Sequence, residues 1–167
     1  MERSELDINP HDLRLAMRRW ATGVTIVTSR VNEIQHGMTV SSFTSVSLEP
    51  PTVLISLEKT TRTHELVQDS GFFGVTILGH GQAEISDRFA GRQTEDQDRF
   101  LGLDTFTLET GVPLLADGLA SFDCRVVSAY EVGSHTIFIG DVLASQIKMG
   151  ESQPLIYFNR NYRILCE

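Results

Sequence analysis

Cysteine is nearly absent. Cys124 and Cys166 are the only two, lie far apart, and fall in no C-x-x-C or Cys/His spacing. Neither a zinc site nor a disulfide framework is indicated, and both read as buried or idle thiols. No run approaches the ~18 consecutive apolar residues that span a bilayer. The opening Met1-Glu-Arg-Ser-Glu-Leu6 is charged where a signal peptide needs an apolar core, which predicts a cytoplasmic protein with no membrane partner. There is no G-x-G-x-x-G after a strand and no G-x-x-x-x-G-K-[ST], so the Rossmann and P-loop phosphate cradles are excluded. Repeats, low-complexity tracts and linkers are missing as well. Positive charge is scarce: 14 Lys+Arg stand against 22 Asp+Glu, a formal net charge of −8. That balance argues against nucleic acid or an anionic membrane as partner and confines any anion site to a local patch.

What remains is an ordinary globular composition. A chain of 167 residues with 41% apolar content fits one domain, spanning 1–167. The most informative stretch runs from His36 to Leu57. Between Thr39 and Ser47 it carries Thr39, Ser41, Ser42, Thr44, Ser45 and Ser47 and no charge. Hydroxyls both donate and accept, so such a crowd suits a ligand with carbonyls, ring nitrogens and phosphate oxygens. It equally describes a strand and loop whose hydroxyls bond their own backbone.

Asn9-Pro10 opens a helix, because Asn is a favoured N-cap, Pro fits the first helical position and Asp12 follows in the first turn. Leu13, Met17 and Trp20 form its apolar stripe. Thr22–Ser29 alternates and is β-branched, a strand, with Val31–Gly37 read as the connection to a hydroxyl-rich segment that pairs back. Thr52–Leu57 is a short strand, nearly all apolar, expected to be buried on both faces after Pro50-Pro51. A polar loop Glu58–His64 leads to a helix with Thr63 as N-cap that stops near Gly71. Phe72–Leu78 is a strand, Gln82–Ala90 a helix, and Thr94–Arg99 an acidic surface stretch. Strands return at Ser121–Tyr130, Thr136–Gln146 and Leu155–Phe158. Many strands with three short helices predict a mostly β fold, a small closed or nearly closed barrel.

In order along the chain stand Gly37-Met-Thr-Val-Ser-Ser42, Ser45-Val-Ser47 with Pro50-Pro51, Phe73-Gly-Val-Thr-Ile-Leu78, Arg88-Phe-Ala-Gly91, Gly133-Ser-His-Thr-Ile-Phe-Ile-Gly140 and Pro154-Leu-Ile-Tyr-Phe158. In their sequence and spacing they resemble the short-chain flavin reductases, the reductase components of two-component flavin monooxygenases. The resemblance covers about Leu13 to Leu165. It implies an FMN-binding split β-barrel that takes hydride from NADH, with NADPH as an alternative, onto FMN or FAD. It also implies release of the reduced flavin to a partner monooxygenase, and a homodimer with the flavin near the subunit interface.

The resemblance also implies site residues. Thr39, Val40, Ser41, Ser42 and Ser47 would face the isoalloxazine edge and ribityl chain. Ser56, Leu57, Lys59, Thr60 and Thr61 would flank the ring and reach the phosphate, near a helix N-terminus. Arg88 and Phe89 match the pair that contacts flavin from the following helix, and His135 matches the histidine beside the nicotinamide. Without the resemblance, Lys59 and Arg62 are solvated loop charges, Arg88 is a surface helix residue and His135 is a turn residue. Tyr157 and Arg160 combine an aromatic face with a cation, suited to a nicotinamide or adenine and a pyrophosphate, or else to core packing and an internal ion pair. Among the other histidines only His36, two residues before the hydroxyl-rich turn, stands out. No metal site is indicated, and hydride transfer requires none: it needs two rings held in a near-attack geometry. Two other functions fit the same fold: a protein that keeps FMN tightly as an electron carrier or flavin store, and an oxidase of the pyridoxamine-phosphate type. The second calls for more Arg and Lys than this acidic chain offers.

Overall fold

A computed structural model describes residues 9–91 and 98–165. Helix α1 (Pro10–Met17) leads through β1 (Thr22–Gly23) into β2 (Thr25–Val31), the strand that links the two halves of the core. Adjacent strand residues point to opposite faces, and here both faces are covered. Ile26 joins an apolar cluster with Val24, Leu78, Phe89, Phe100 and Leu155. Val27 joins the other, with Ile55, Val67, Phe73, Val75 and Phe138.

The chain continues through β3 (Ile34–Val40), β4 (Phe43–Leu48), β5 (Pro51–Glu58), α2 (Arg62–Ser70), β6 (Phe72–Ile77), α3 (Ala83–Phe89) and the short pair β7 (Thr105–Phe106) and β8 (Leu114–Leu115). Two long strands follow, β9 (Ala120–Val132) and β10 (His135–Ile147), then β11 (Ile156–Phe158) and β12 (Asn161–Arg163). Seven strands form one antiparallel sheet in the order β3-β2-β6-β9-β10-β5-β4. A separate sheet joins β1, β11 and β12. The fold is mostly β with short helices, a split barrel. Hydrogen bonds do not close the large sheet: β3 and β4 are its two edges. Only Ser41-Ser42 connects those edges, so the sheet curls until the end of one lies near the start of the other.

Helix α2 begins at Thr61, whose side chain accepts from the His64 N–H, and ends at Gly71, whose φ of +73° is the left-handed cap position that favours glycine. The cap is therefore Thr61 and not Thr63, which is fully buried in the first turn. Asn9 caps α1 as its sequence predicts, accepting from the His11 N–H at 2.9 Å.

Several other expectations are corrected. Only Asn32-Glu33 turn between β2 and β3, and Ile34–Gly37 is strand. The hydroxyl-rich segment pairs back on β2 only as far as Val40; Phe43–Leu48 crosses to the opposite edge and pairs with β5. Leu54 and Ser56 of β5 are half-buried rather than buried. The long hairpin turns at Gly133-Ser134, with pairing continuing through Val132 and His135. Residues 94–97 of the acidic stretch lie outside the described residues, and Arg99 at its end turns inward to donate to the Gly37 and Phe89 carbonyls at 2.9 and 2.8 Å. Cys124 is buried as expected, and burial with the Asp123 charge pushes its thiol up to about 12; Cys166 is outside the described residues. The stripe of α1 meets no core among the described residues: Leu13, Met17 and Trp20 are 54%, 55% and 67% exposed.

Candidate functional site

The free edge of β3 is flanked by a helix on each face of the sheet. Val67 of α2 packs into one apolar cluster and Phe89 at the end of α3 into the other. Between them lies a cleft of about 1050 Å³. β3 lines it with Ile34, Gln35, His36, Met38 and Thr39. The β5–α2 loop and first helical turn contribute Thr60, Thr61 and Arg62, and the α3 side contributes Phe89, Ala90, Asp98, Arg99 and Phe100.

Three contacts fix this geometry. The Thr39 hydroxyl donates to the Ser86 carbonyl at 2.6 Å, joining β3 to α3. Gly37 lets Phe89 lie against the strand: a Cβ there would stand 2.8 Å from the Phe89 ring. His36 Nδ1 meets the Thr63 hydroxyl at 2.8 Å, joining β3 to α2. Burial, with the Arg99 and Arg62 guanidiniums nearby, lowers the His36 pKa from 6.5 to about 4, so the ring is neutral at pH 7. At the start of α2 the Thr61 side chain satisfies His64 N–H and the Thr61 carbonyl satisfies Glu65 N–H. The Arg62 and Thr63 N–H groups are the remaining orphan donors of that turn. Donors at a helix N-terminus, a guanidinium and a neutral imidazole along one wall are chemistry for a phosphorylated ligand.

A second, smaller pocket of about 420 Å³ lies beyond the β3–β4 turn, lined by Trp20, Thr22, Gly23, Ser41, Ser42, Phe43 and Leu54 among others. The Ser42 hydroxyl donates to the Ser56 carbonyl at 2.8 Å across the turn. The hydroxyls of Ser42 and Thr39 are thus occupied by backbone in this structure, whereas Ser41 is exposed.

Of the residues singled out in the sequence, Thr39, Thr60, Thr61 and Phe89 meet in the large cleft, and Ser41 and Ser42 line the small pocket. Val40 and Leu57 are buried in the core. Ser47 accepts from the Glu49 N–H at 3.2 Å, on the far edge strand. Arg88 donates to the Leu101 carbonyl at 2.9 Å. Lys59 lines neither pocket; its ammonium pairs with Glu131 at 2.6 Å, and its N–H donates to the Ser134 carbonyl at 2.9 Å. That clamps the loop to the β9–β10 hairpin, where His135 stands exposed with Nδ1 3.0 Å from the Ser134 hydroxyl. Tyr157 packs beside Tyr162, ring centroids 5.7 Å apart, under the three-stranded sheet. Arg160 is exposed in the β11–β12 turn with φ +63°. Arg99 and Met38 are lining residues that sequence reasoning missed. Arg99 reaches β3 from 62 residues away, a distance over which no local pattern carries a signal.

The flavin reductase like domain family matches residues 17–165. The NADH-dependent flavin reductase StyB of Pseudomonas fluorescens is 40% identical over 159 residues, 94% of this chain and 91% of its own length. The reductase component of 4-hydroxyphenylacetate 3-monooxygenase from Thermus thermophilus is 36% identical, covering 90% of this chain and 93% of its own. Among solved structures, Streptomyces globisporus NADH:FAD oxidoreductase SgcE6, in complex with NAD and FAD fragments, superposes with a TM-score of 0.86 at 34% identity, over 98% of each chain.

Proposed function

The chain belongs to the flavin reductase like family, and from that premise we propose how it works as an NADH-dependent flavin reductase, an enzyme that supplies reduced flavin to a partner monooxygenase. The observation that carries the assignment to a place is the meeting of Thr39, Thr60, Thr61 and Phe89 with Arg62 in one cleft. A flavin fits this donor set. The two orphan N–H groups at the start of α2, together with the Thr60 hydroxyl, would hold its phosphate. Thr39 and the Ser41-Ser42 turn would face its ring end. A bound flavin would supply the hydride acceptor, and the chain's own work is to hold the flavin and nicotinamide rings in contact and exclude water. His135 positions the nicotinamide from the hairpin that Lys59 clamps.

The working unit is one domain, 1–167, and a homodimer. Leu13, Met17 and Trp20 support the dimer, since an exposed apolar stripe on a structured helix calls for a covering surface. No helix among the described residues is long and apolar enough to cross a membrane, and the site of action is the cytoplasm. FMN or FAD is the flavin, and the donor is NADH, as the 40% identical NADH-dependent flavin reductase StyB supports.

The test is anaerobic. Purified protein should oxidise NADH only when FMN or FAD is added, and the reduced flavin should pass through a dialysis membrane to an oxygenase. A yellow colour that survives dialysis, with no NADH oxidation on adding flavin, would overturn the reading in favour of a flavin carrier.

A further inference from the structure

We infer that His64 and Thr136 are positioning residues, whose buried contact lets the phosphate end of a bound flavin set the place of His135 and so of the nicotinamide. The inference rests on the flavin reading above and extends it to two residues that line neither of the pockets described.

Helix α2 begins with three consecutive residues that face three different partners. Arg62 is exposed and lines the large cleft. The Thr63 hydroxyl meets His36 Nδ1 of β3 at 2.8 Å, and His64 Nε2 meets the Thr136 hydroxyl of β10 at 2.8 Å. The turn that leaves the Arg62 and Thr63 N–H groups without an intrahelical partner is thus bonded, through its next residue, to the strand that opens with His135.

The segment between β5 and α2 also meets the hairpin at the surface, through Lys59 and Glu131. Water screens that pair, so it holds little. The His64–Thr136 bond starts from the helix itself, and its partners are 6% and 5% exposed. Parting two polar groups that are out of water leaves both unsatisfied, which makes this link the stiffer one. Burial, then the Lys59 charge, lowers the His64 pKa from 6.5, so the ring is neutral at pH 7. A neutral imidazole has one donor and one acceptor nitrogen and a hydroxyl serves either, so the bond stands in both tautomers. The His64 ring also lies 5.3 Å, centroid to centroid, from Phe138, which shares a face of β10 with Thr136. Two contacts on alternate residues tie helix and strand together.

Strand alternation carries the link outward. Thr136 is buried and its neighbour His135 is exposed, so a shift of Thr136 moves the backbone that bears the His135 ring. A phosphate seated on the first turn of α2 fixes that turn, and the buried contact fixes β10 with it. The two substrates are then coupled through the protein as well as through their stacked rings.

The experiment compares FMN with riboflavin, which has the same ring and ribityl chain but no phosphate. NADH oxidation is measured at saturating flavin for the intact protein, Thr136→Val, His64→Phe and Thr136→Ser, with circular dichroism to confirm folding. In the parent the KM for NADH should be at least about fivefold lower with FMN than with riboflavin, the low end of usual coupling between sites. Thr136→Val and His64→Phe should raise the FMN value until the two agree within about twofold, with FMN affinity nearly unchanged. Thr136→Ser keeps the hydroxyl and should keep the parental ratio. In nitrogen-15 spectra of the parent, the His64 ring and the His135 amide should resonate differently in the two flavin complexes. Coincident resonances, or equal KM values for the two flavins in the parent, would overturn the coupling whichever variants fold, with the flavin reading intact. A parental ratio in folded Thr136→Val or His64→Phe would overturn it too and make the pair a brace of the fold. NADH oxidation with neither flavin would overturn the flavin reading and the coupling together.

Discussion

The ring of His36 and the hydroxyl of Thr63 meet at 2.8 Å, one residue on an edge strand and the other in the first turn of a helix 27 positions later. That bond, with Thr39 to the Ser86 carbonyl on the other face, makes β3 the common wall to which both helices of the cleft are tied. The site is therefore rigid at the strand and open along its edge.

Acidification should loosen this wall. The folded pKa of His36 is lowered from 6.5 to about 4, so the unfolded chain binds a proton that the folded one refuses between those values. Stability from the neutral ring is complete above about pH 6.5 and is lost as pH falls toward about 4. Urea unfolding across this range should show a falling midpoint in the parent and a shallower fall in His36→Asn. Equal slopes for the two proteins would place the acid sensitivity elsewhere.

Gly37→Ala should displace Phe89. The new Cβ would stand 2.8 Å from the Phe89 ring and 3.0 Å from the Thr28 methyl, and both neighbours are fully buried. Overpacking of this kind costs ~1–3 kcal/mol. Thermal unfolding should register the loss, and flavin affinity should drop with it because Phe89 lines the cleft. A variant with parental melting and binding would show that the ring yields freely.

How much of this was legible in the sequence follows from the range of each interaction. Strands such as Phe72–Leu78 and the cap at Asn9 are written in neighbouring residues, through β-branching and side-chain-to-backbone bonds. The motif around Gly37–Ser42 located the turn but not its split between two edges of the sheet, because pairing partners are set by residues far along the chain. Thr63 lies inside the first turn of α2, where its hydroxyl meets His36, a residue 27 positions away that no local pattern around the cap reveals. Arg99 and Lys59 show the same limit. Their charges are visible in sequence, while Gly37, Phe89 and Glu131, which hold them, are not adjacent to either.

The Lys59–Glu131 pair makes a separate prediction. Its contacting atoms are 2.6 Å apart, and Lys59 hydrogen-bonding lowers the pKa of an exposed Glu131. An exposed pair contributes little to stability, so Lys59→Ala should melt close to the parent. If Lys59 leaves Glu131 to meet the flavin phosphate, Lys59→Ala should weaken flavin binding by about tenfold, the size of one charge-assisted hydrogen bond. Glu131→Gln should then strengthen it by freeing the ammonium. Unchanged affinity in both variants would confine Lys59 to clamping the hairpin.

His135 offers the sharpest test of the division between the two substrates. It opens β10 opposite Val132 and Glu58, is exposed, and lines neither pocket. Hydride passes directly between the rings and needs no side-chain base, so a role for this residue is positional. His135→Ala should therefore raise the KM for NADH or lower kcat, with flavin affinity nearly unchanged. A donor misplaced by ~1 Å costs on the order of a hundredfold in rate, which stopped-flow reduction under saturating flavin resolves easily. His135→Asn, which restores a hydrogen-bonding group of similar reach, should recover part of the loss if the contact is a hydrogen bond. Parental rate and NADH affinity in the alanine variant would make His135 a turn residue and send the search for the nicotinamide to Tyr157 and Arg160.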